Sequence, residues 1–282
     1  MDVIHDQSPE LIQIHIPDIG WILLPILATI GGAWVYNSDL ESLFTPALLS
    51  RLALVLGGWT PLWYTVVHTN WAVPLSLWKN WSESDPLPPW PYLQSATAGT
   101  VLRQRLGQAR AWWRKVGKPQ LAVPLQFTFL AVFASIFLSY TIERTVLLLT
   151  MLFLASSQLA VLWKSSPEKE VSTGWLSVTQ VGLPWLLGSC INQEIQNDAI
   201  MSTFILIVLV GFYTLNSPFA ITGPLLTAAF LVWQGHAITA GWLLLLSLPG
   251  FLKLSQGPTD KAYRNAALPW ILGMVGLIAW VI

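Results

Sequence analysis

Glu83 and Asp85, two positions apart, are the carboxylates best placed to hold a divalent cation. Six basic side chains, Arg103, Arg105, Arg110, Arg114, Lys115 and Lys118, follow shortly after them. A hard cation such as Mg²⁺ is commonly held by one or two carboxylates together with substrate phosphates. Arginine meets a phosphate as a bidentate fork and lysine as a point charge. As a pair Glu83 and Asp85 could hold one Mg²⁺, and Arg103, Arg105 or Lys164 could grip phosphates. The plainer reading makes SESDPLPPWP a solvated turn and the arginines an electrostatic anchor on anionic lipid. Tyr213 and Asn216 sit where an apolar run breaks, as contacts to an isoprenoid or head group or as partners for freed backbone groups.

Other chemistry is thinly represented. His5, His15, His68 and His236 are scattered; His68 and His236, expected at opposite membrane faces, could each ligate a porphyrin or chlorin through a neutral imidazole, but read first as interfacial polar residues. The single cysteine, Cys190, excludes an intrachain disulfide and any multi-cysteine metal site. There is no serine–histidine–aspartate pattern, phosphate-cradling glycine loop or HExxH, and no charged tail directed at nucleic acid.

These residues lie in a chain of 282 residues that is 54% hydrophobic and 10% charged, with a mean hydropathy of +0.58. Soluble domains carry about 25% charged residues, so the composition is that of an integral membrane protein. The stretch from His68 to Leu121 is the only long segment unsuited to a bilayer. The first twenty residues carry no Lys or Arg, so the first apolar run is expected to be a retained helix and not a secretory signal. Many of the seventeen tryptophans fall near expected span ends, as aromatic belts require.

A span needs about 20 apolar residues, or as few as 17. On that measure nine are expected, near 20–36, 48–67, 121–140, 144–163, 174–192, 199–215, 219–235, 237–254 and 266–282. Spans six to eight have short connections that could hide one broken helix. Lys and Arg gather in alternate loops: the cluster above, then Lys164 and Lys169, then Lys261 and Arg264 with Lys253 at the edge. The opposite loops carry Asp39 and Glu41, Glu143 and Arg144, and Glu194 and Asp198. The positive-inside rule then makes the N terminus cytoplasmic and the C terminus not. Arg51 and Arg144 run against the pattern and are expected to snorkel from span edges, with Glu143 and Arg144 in a solvated turn.

Residues 1–19 form an acidic cytoplasmic segment, with Ser8 and Pro9 suited to start a short surface helix through Glu10, Leu11 and Ile14. In the cytoplasmic loop 69–120, Ala98, Val101, Leu102, Leu106, Ala109, Trp112, Trp113 and Val116 recur at three- and four-residue steps. They predict a basic amphipathic helix over 98–117, lying in the membrane interface.

Leu152–Gly188 resembles the fourth-span exit, polar spacer and glycine-rich fifth span of the UbiA superfamily of membrane prenyltransferases, and Asp260–Ile282 is similar to the last loop and span of its quinone-pathway members. The resemblance implies an all-α polytopic bundle, a cytoplasmic second loop, and two aspartate-rich motifs holding Mg²⁺ against a prenyl diphosphate. The motifs are not intact. After span two the chain reads HTNWAVPLSLWKNWSESD, with Trp71 following Asn70 and no acid before Glu83; after span six it reads FYTLNSPFA, without a carboxylate.

The expected function is therefore a UbiA-like membrane bundle of one domain that binds an isoprenoid, quinone, pigment such as a chlorin, or lipid, and acts with membrane protein partners as a non-catalytic structural or assembly component. The alternatives are an active Mg²⁺-dependent prenyltransferase, with Glu83 and Asp85 holding the metal and Asn70, Arg103, Arg105, Lys164, Tyr213 and Asn216 binding substrate, and a small-solute transporter. The last is disfavoured because no span carries a chain of central acids. The Trp-rich, Lys-poor style suggests a bacterial plasma or thylakoid membrane.

Overall fold

The computed structural model describes residues 19–36, 45–69, 71–88, 98–162, 172–191, 195–257 and 259–281. Among them every regular element is a helix. Its elements are α1 (Ile19–Tyr36), α2 (46–68), α3 (Ala72–Lys79), α4 (Ala98–Ile142), α5 (Arg144–Leu162), α6 (173–189), α7 (Asn197–Tyr213), α8 (Pro218–Trp233), α9 (Ala237–Leu254) and α10 (Asp260–Val281). Each stretch expected as a span is largely helical. Three helical stretches are long and apolar enough to cross a membrane: α4, α9 and Ala262–Val281 within α10. Shorter apolar helices cover Trp21–Tyr36, Arg144–Ala160, Asn197–Tyr213 and Pro218–Trp233.

Local chemistry sets the breaks. Thr45 caps α2, its Oγ1 accepting from the Leu48 N–H at 3.3 Å with Pro46 in the first turn. Ser217 starts α8 in the same way, through the Phe219 N–H at 3.2 Å. Gly235, at φ +89°, turns the chain between α8 and α9 in a conformation that side-chain-bearing residues avoid. Spans six to eight are thus three separate helices.

Three helices contain a π-helical turn: Val55–Trp59 in α2, Trp113–Gly117 in α4 and Val178–Gly182 in α6. Each includes a glycine and is followed two residues later by a proline, Pro61, Pro119 and Pro184. A proline ring clashes with the carbonyl four residues earlier; here those carbonyls belong to Gly57, Lys115 and Gln180, all inside the π turns. Widening the turn lets the helix continue.

That continuity corrects one expectation. The predicted interfacial helix 98–117 is not an element separated from the span after it; the two form one helix of 45 residues. At ~1.5 Å per residue it is about 67 Å long, roughly twice the ~30 Å hydrocarbon core.

Among the described residues two large buried cores lie on opposite sides of α6, beside a small cluster of Ala33, Leu48 and Ile191. Leu183 and Leu187 pack with Leu54, Trp59, Leu62 and Trp63 of α2, Ala131 of α4 and Val146, Leu149 and Phe153 of α5. Val181 and Trp185 face the other core, with Leu24 and Ala28 of α1, Leu206 and Tyr213 of α7, Leu231 of α8, Leu243 of α9 and Tyr263 and Ile271 of α10. Trp59 and Trp185 are fully buried, so these two are core residues and not belt anchors. Their N–H groups are satisfied internally, by Thr150 Oγ1 at 3.3 Å and Ser202 Oγ at 3.1 Å, and Trp59 stacks on Phe153 at 4.6 Å. In contrast Phe129, Phe133, Phe137 and Tyr140 of α4 project outward, suited to lipid tails.

Candidate functional site

The polar exception of the sequence folds into an arm. The half of α4 before Leu121 extends past the apolar stretch, and the extended chain 81–88 runs antiparallel along it as a strap. Trp112 donates its indole N–H to the Pro74 carbonyl at 3.2 Å and meets Trp78 edge-on at 5.7 Å. Further along, Glu83 pairs with Lys115, Asp85 Oδ1 accepts from Arg114 at 2.7 Å, the Asp85 N–H donates to the Gly107 carbonyl at 3.0 Å, and Arg103 donates to the Leu87 carbonyl at 2.6 Å. Gly107 is what admits the strap: a Cβ there would collide with Ser84 Oγ and lie 2.7 Å from the Asp85 carbonyl oxygen.

This geometry assigns the two carboxylates to ion pairs within the arm. Among the described residues no group of three or more His, Cys, Asp or Glu is arranged to hold a metal. The Glu83–Lys115 pair is exposed on both sides and worth about 0.2–1 kcal/mol, so it would yield to a strong ligand, whereas the Asp85 carboxylate is mostly buried. Arg114 and Lys115 contact the two acids, and Arg103, Arg105, Arg110 and Lys118 add further positive charge along the same stretch of helix. Arg105 reaches Gln108 Oε1 at 3.4 Å. Asn70 and Lys164 lie outside the described residues.

Tyr213 belongs elsewhere. It is fully buried in the second core, donates its hydroxyl to the Ser247 carbonyl at 3.0 Å and meets Phe251 edge-on at 5.8 Å. Its own carbonyl accepts the Tyr263 hydroxyl at 3.0 Å. Two phenols thereby lock α7, α9 and α10 near one end of the bundle, with Gly250 giving the Tyr213 hydroxyl its space. Asn216 lies in the turn before α8, half-buried and engaged in contacts of its own. Tyr213→Phe and Tyr263→Phe should each lower unfolding stability by about 1 kcal/mol, the net worth of one buried hydrogen bond, measurable in detergent by tryptophan fluorescence. Unchanged midpoints would show that the phenols are bystanders.

Arg51 was misread by sequence reasoning. Expected to snorkel, it is 2% exposed. Nη1 donates to the Ala47 carbonyl at 3.1 Å, and Nη2 to the Cys190 carbonyl at 2.9 Å and to Glu143 Oε2 at 3.2 Å. One guanidinium thus ties the start of α2 to the end of α6 and to the α4–α5 junction. Glu143 is therefore a tethered residue, about half exposed, and not part of a free solvated turn. Arg51 Nε is buried with no partner among the described residues. His236 precedes α9 at an exposed turn.

Comparison with protein-family models, with curated proteins and with solved structures returns no significant match.

Proposed function

We propose that the chain is an integral membrane bundle of nine spans, UbiA-like in outline, which binds an isoprenoid, quinone, pigment or lipid and serves as a non-catalytic structural or assembly component. The observation that carries this reading is the engagement of Glu83 and Asp85 by Lys115 and Arg114. A prenyltransferase has to present carboxylates with net negative charge to Mg²⁺ and diphosphate. This arm presents a surplus of cations. At the opposite pole of the argument, the Tyr213 hydroxyl is spent on the Ser247 carbonyl and the following turn, Thr214–Ser217, carries no acid. The outward apolar side chains of α4 and the exposed Leu148 and Leu152 of α5 suit a lipid environment, and alternating loop charge orients the N terminus toward the cytoplasm.

The experiment uses purified protein, a radiolabelled prenyl diphosphate, Mg²⁺ and a total lipid extract as acceptor source. Organic extraction of the same preparation, followed by mass spectrometry, reports any retained isoprenoid, quinone or pigment. The expected result is retention of such a molecule near one per chain without prenyl transfer. Transfer that Glu83→Gln and Asp85→Asn abolish would replace this reading with the enzymatic one. An empty extract would remove the ligand-binding claim.

A further inference from the structure

We infer that the acidic N-terminal segment, residues 1–18, docks on the exposed apolar stripe of the α4 arm. The strap occupies only one side of that arm, where Gly107, Gln108 and Ala111 are buried. The other side presents Val101, Leu102, Leu106 and Trp113, which are 57%, 53%, 43% and 40% exposed. At about 100° per residue, these four side chains fall on one arc, with Arg105 inside it between Val101 and Leu102 and with Arg103 and Arg110 along the edge beyond Leu106. The strap neutralises Arg114 and Lys115. Among the described residues no carboxylate pairs with Arg103, Arg105 or Arg110. What fits this surface is a segment both apolar and acidic.

The chain contains one such segment at the right end of the bundle. Residues 1–18 hold Asp2, Asp6, Glu10 and Asp18, no Lys or Arg, and the apolar Val3, Ile4, Leu11, Ile12, Ile14 and Ile16. The other segment carrying several acids at that end, 163–172, balances Glu168 and Glu170 with Lys164 and Lys169. End placement follows from contacts. Glu143, just after α4, meets Arg51 at the start of α2, which also meets Cys190 after α6; the late turn of α1 at Gly32 lies against Trp185 and Ser189 of α6. The start of α1 therefore sits at the opposite end, where Trp21 donates to Asn265 Oδ1 at 3.2 Å, and the α4 arm projects from that same end. Helix α2 packs on both α1 and α4, a lateral separation of roughly two interaxial spacings, or about 20 Å. Eighteen residues extend to about 60 Å, which covers that separation and the length of the arm.

A membrane surface is the competing occupant. It is less well matched because α4 runs on continuously, so a stripe centred near residue 107 lies about 20 Å along the helix axis from Leu121.

The test places a benzophenone amino acid at Leu106 in the full chain, reconstituted in vesicles with and without anionic lipid, and maps the photoadducts by mass spectrometry. Adducts to residues 1–18 of the same chain are expected in both vesicle types. They should fall at least fivefold in an Asp2→Asn/Asp6→Asn/Glu10→Gln variant and in an Arg105→Gln/Arg110→Gln variant, with the elution profile unchanged. Adducts to acyl chains would assign the stripe to the membrane, adducts between chains to a second copy, and absence of N-terminal adducts would overturn the proposal outright. As an independent measure, Leu106→Cys should react with a maleimide several-fold faster when the three acids are neutralised, Cys190 being buried; an unchanged rate would contradict docking. These readouts do not depend on which ligand the bundle holds.

Discussion

Arg51→Met lowers the unfolding free energy by about 2–4 kcal/mol. The substitution keeps the aliphatic stem and removes one buried cation that donates to two carbonyls and a carboxylate. Hydrogen bonds to charged groups are worth about 1.5–3 kcal/mol each, and a buried acceptor left without a donor bears its desolvation cost. Removing one member of a buried pair costs about 3–5 kcal/mol; the lower range applies because Glu143 is half exposed and rehydrates. Arg51→Lys recovers less than half, since an ammonium cannot reproduce the fork that reaches Cys190 and Glu143 together. Glu143→Gln is milder, about 1 kcal/mol. Denaturant titration in mixed micelles, followed by tryptophan fluorescence, measures all three. A Met variant as stable as the parent would mean that Arg51 ties nothing together.

Gly32→Val and Gly188→Val act on the close contact between α1 and α6 and are each expected to cost about 3 kcal/mol or more, or to prevent accumulation of folded protein. A Cβ on Gly32 would run into the Trp185 carbonyl and lie 3.0–3.1 Å from the Trp185 carbonyl carbon and the Ser189 nitrogen. On Gly188 it would run into the Thr29 carbonyl and stand 2.8 Å from the Ala33 nitrogen. These are backbone atoms of facing helices, which cannot rotate aside as a side chain does. Overpacking commonly costs about 1–3 kcal/mol where side chains can yield, so a backbone obstacle sets the effect at the top of that range. Small residues at helix crossings in membranes serve this close approach, and Ala28, four positions before Gly32, is fully buried too. Gly57, by contrast, has nothing near its missing Cβ, so Gly57→Ala is the control for the loss of glycine as such. Thermal aggregation in detergent ranks the three; parity between Gly32→Val and Gly57→Ala would contradict the packing argument.

Much of the helical outline was legible because it depends on local composition. Helices start after Thr45 and Ser217 and one ends before Gly235, whose capping and turn chemistry is written into their residue types. The arm was legible by half. Period-three and period-four spacing identified the helix over 98–117 and composition the span from 121, but as separate elements, and only the wider turn ahead of Pro119 shows how they join. Periodicity also marked an apolar face without saying which face would be covered. The strap took the other one, because Gly107 is small and because Arg114 and Lys115 match the strap's acids. Long-range partners left no local trace. Arg51 meets Glu143 and Cys190 at sequence separations of 92 and 139, so its position near a span edge suggested solvent where the fold supplies a buried fork of acceptors. Tyr213 was noticed for its place at a helix break, yet its partners Ser247 and Tyr263 lie 34 and 50 positions away.

The three π turns carry a further meaning for how the faces of α2, α4 and α6 are set. A π turn amounts to one extra residue in an α-helix, and each residue advances the helix by about 100°. The half of the helix beyond the turn is therefore rotated by more than a quarter circle relative to an uninterrupted helix. In α6 the rotation occurs at Val178–Gly182, directly before Leu183, Trp185 and Leu187 divide between the two cores. Loss of one residue there would leave the composition and helical character nearly intact while turning Trp185 away from Ser202. The prolines and their glycines thus act as phase markers, and the partition of this bundle into two cores depends on an angular offset that hydropathy alone does not encode.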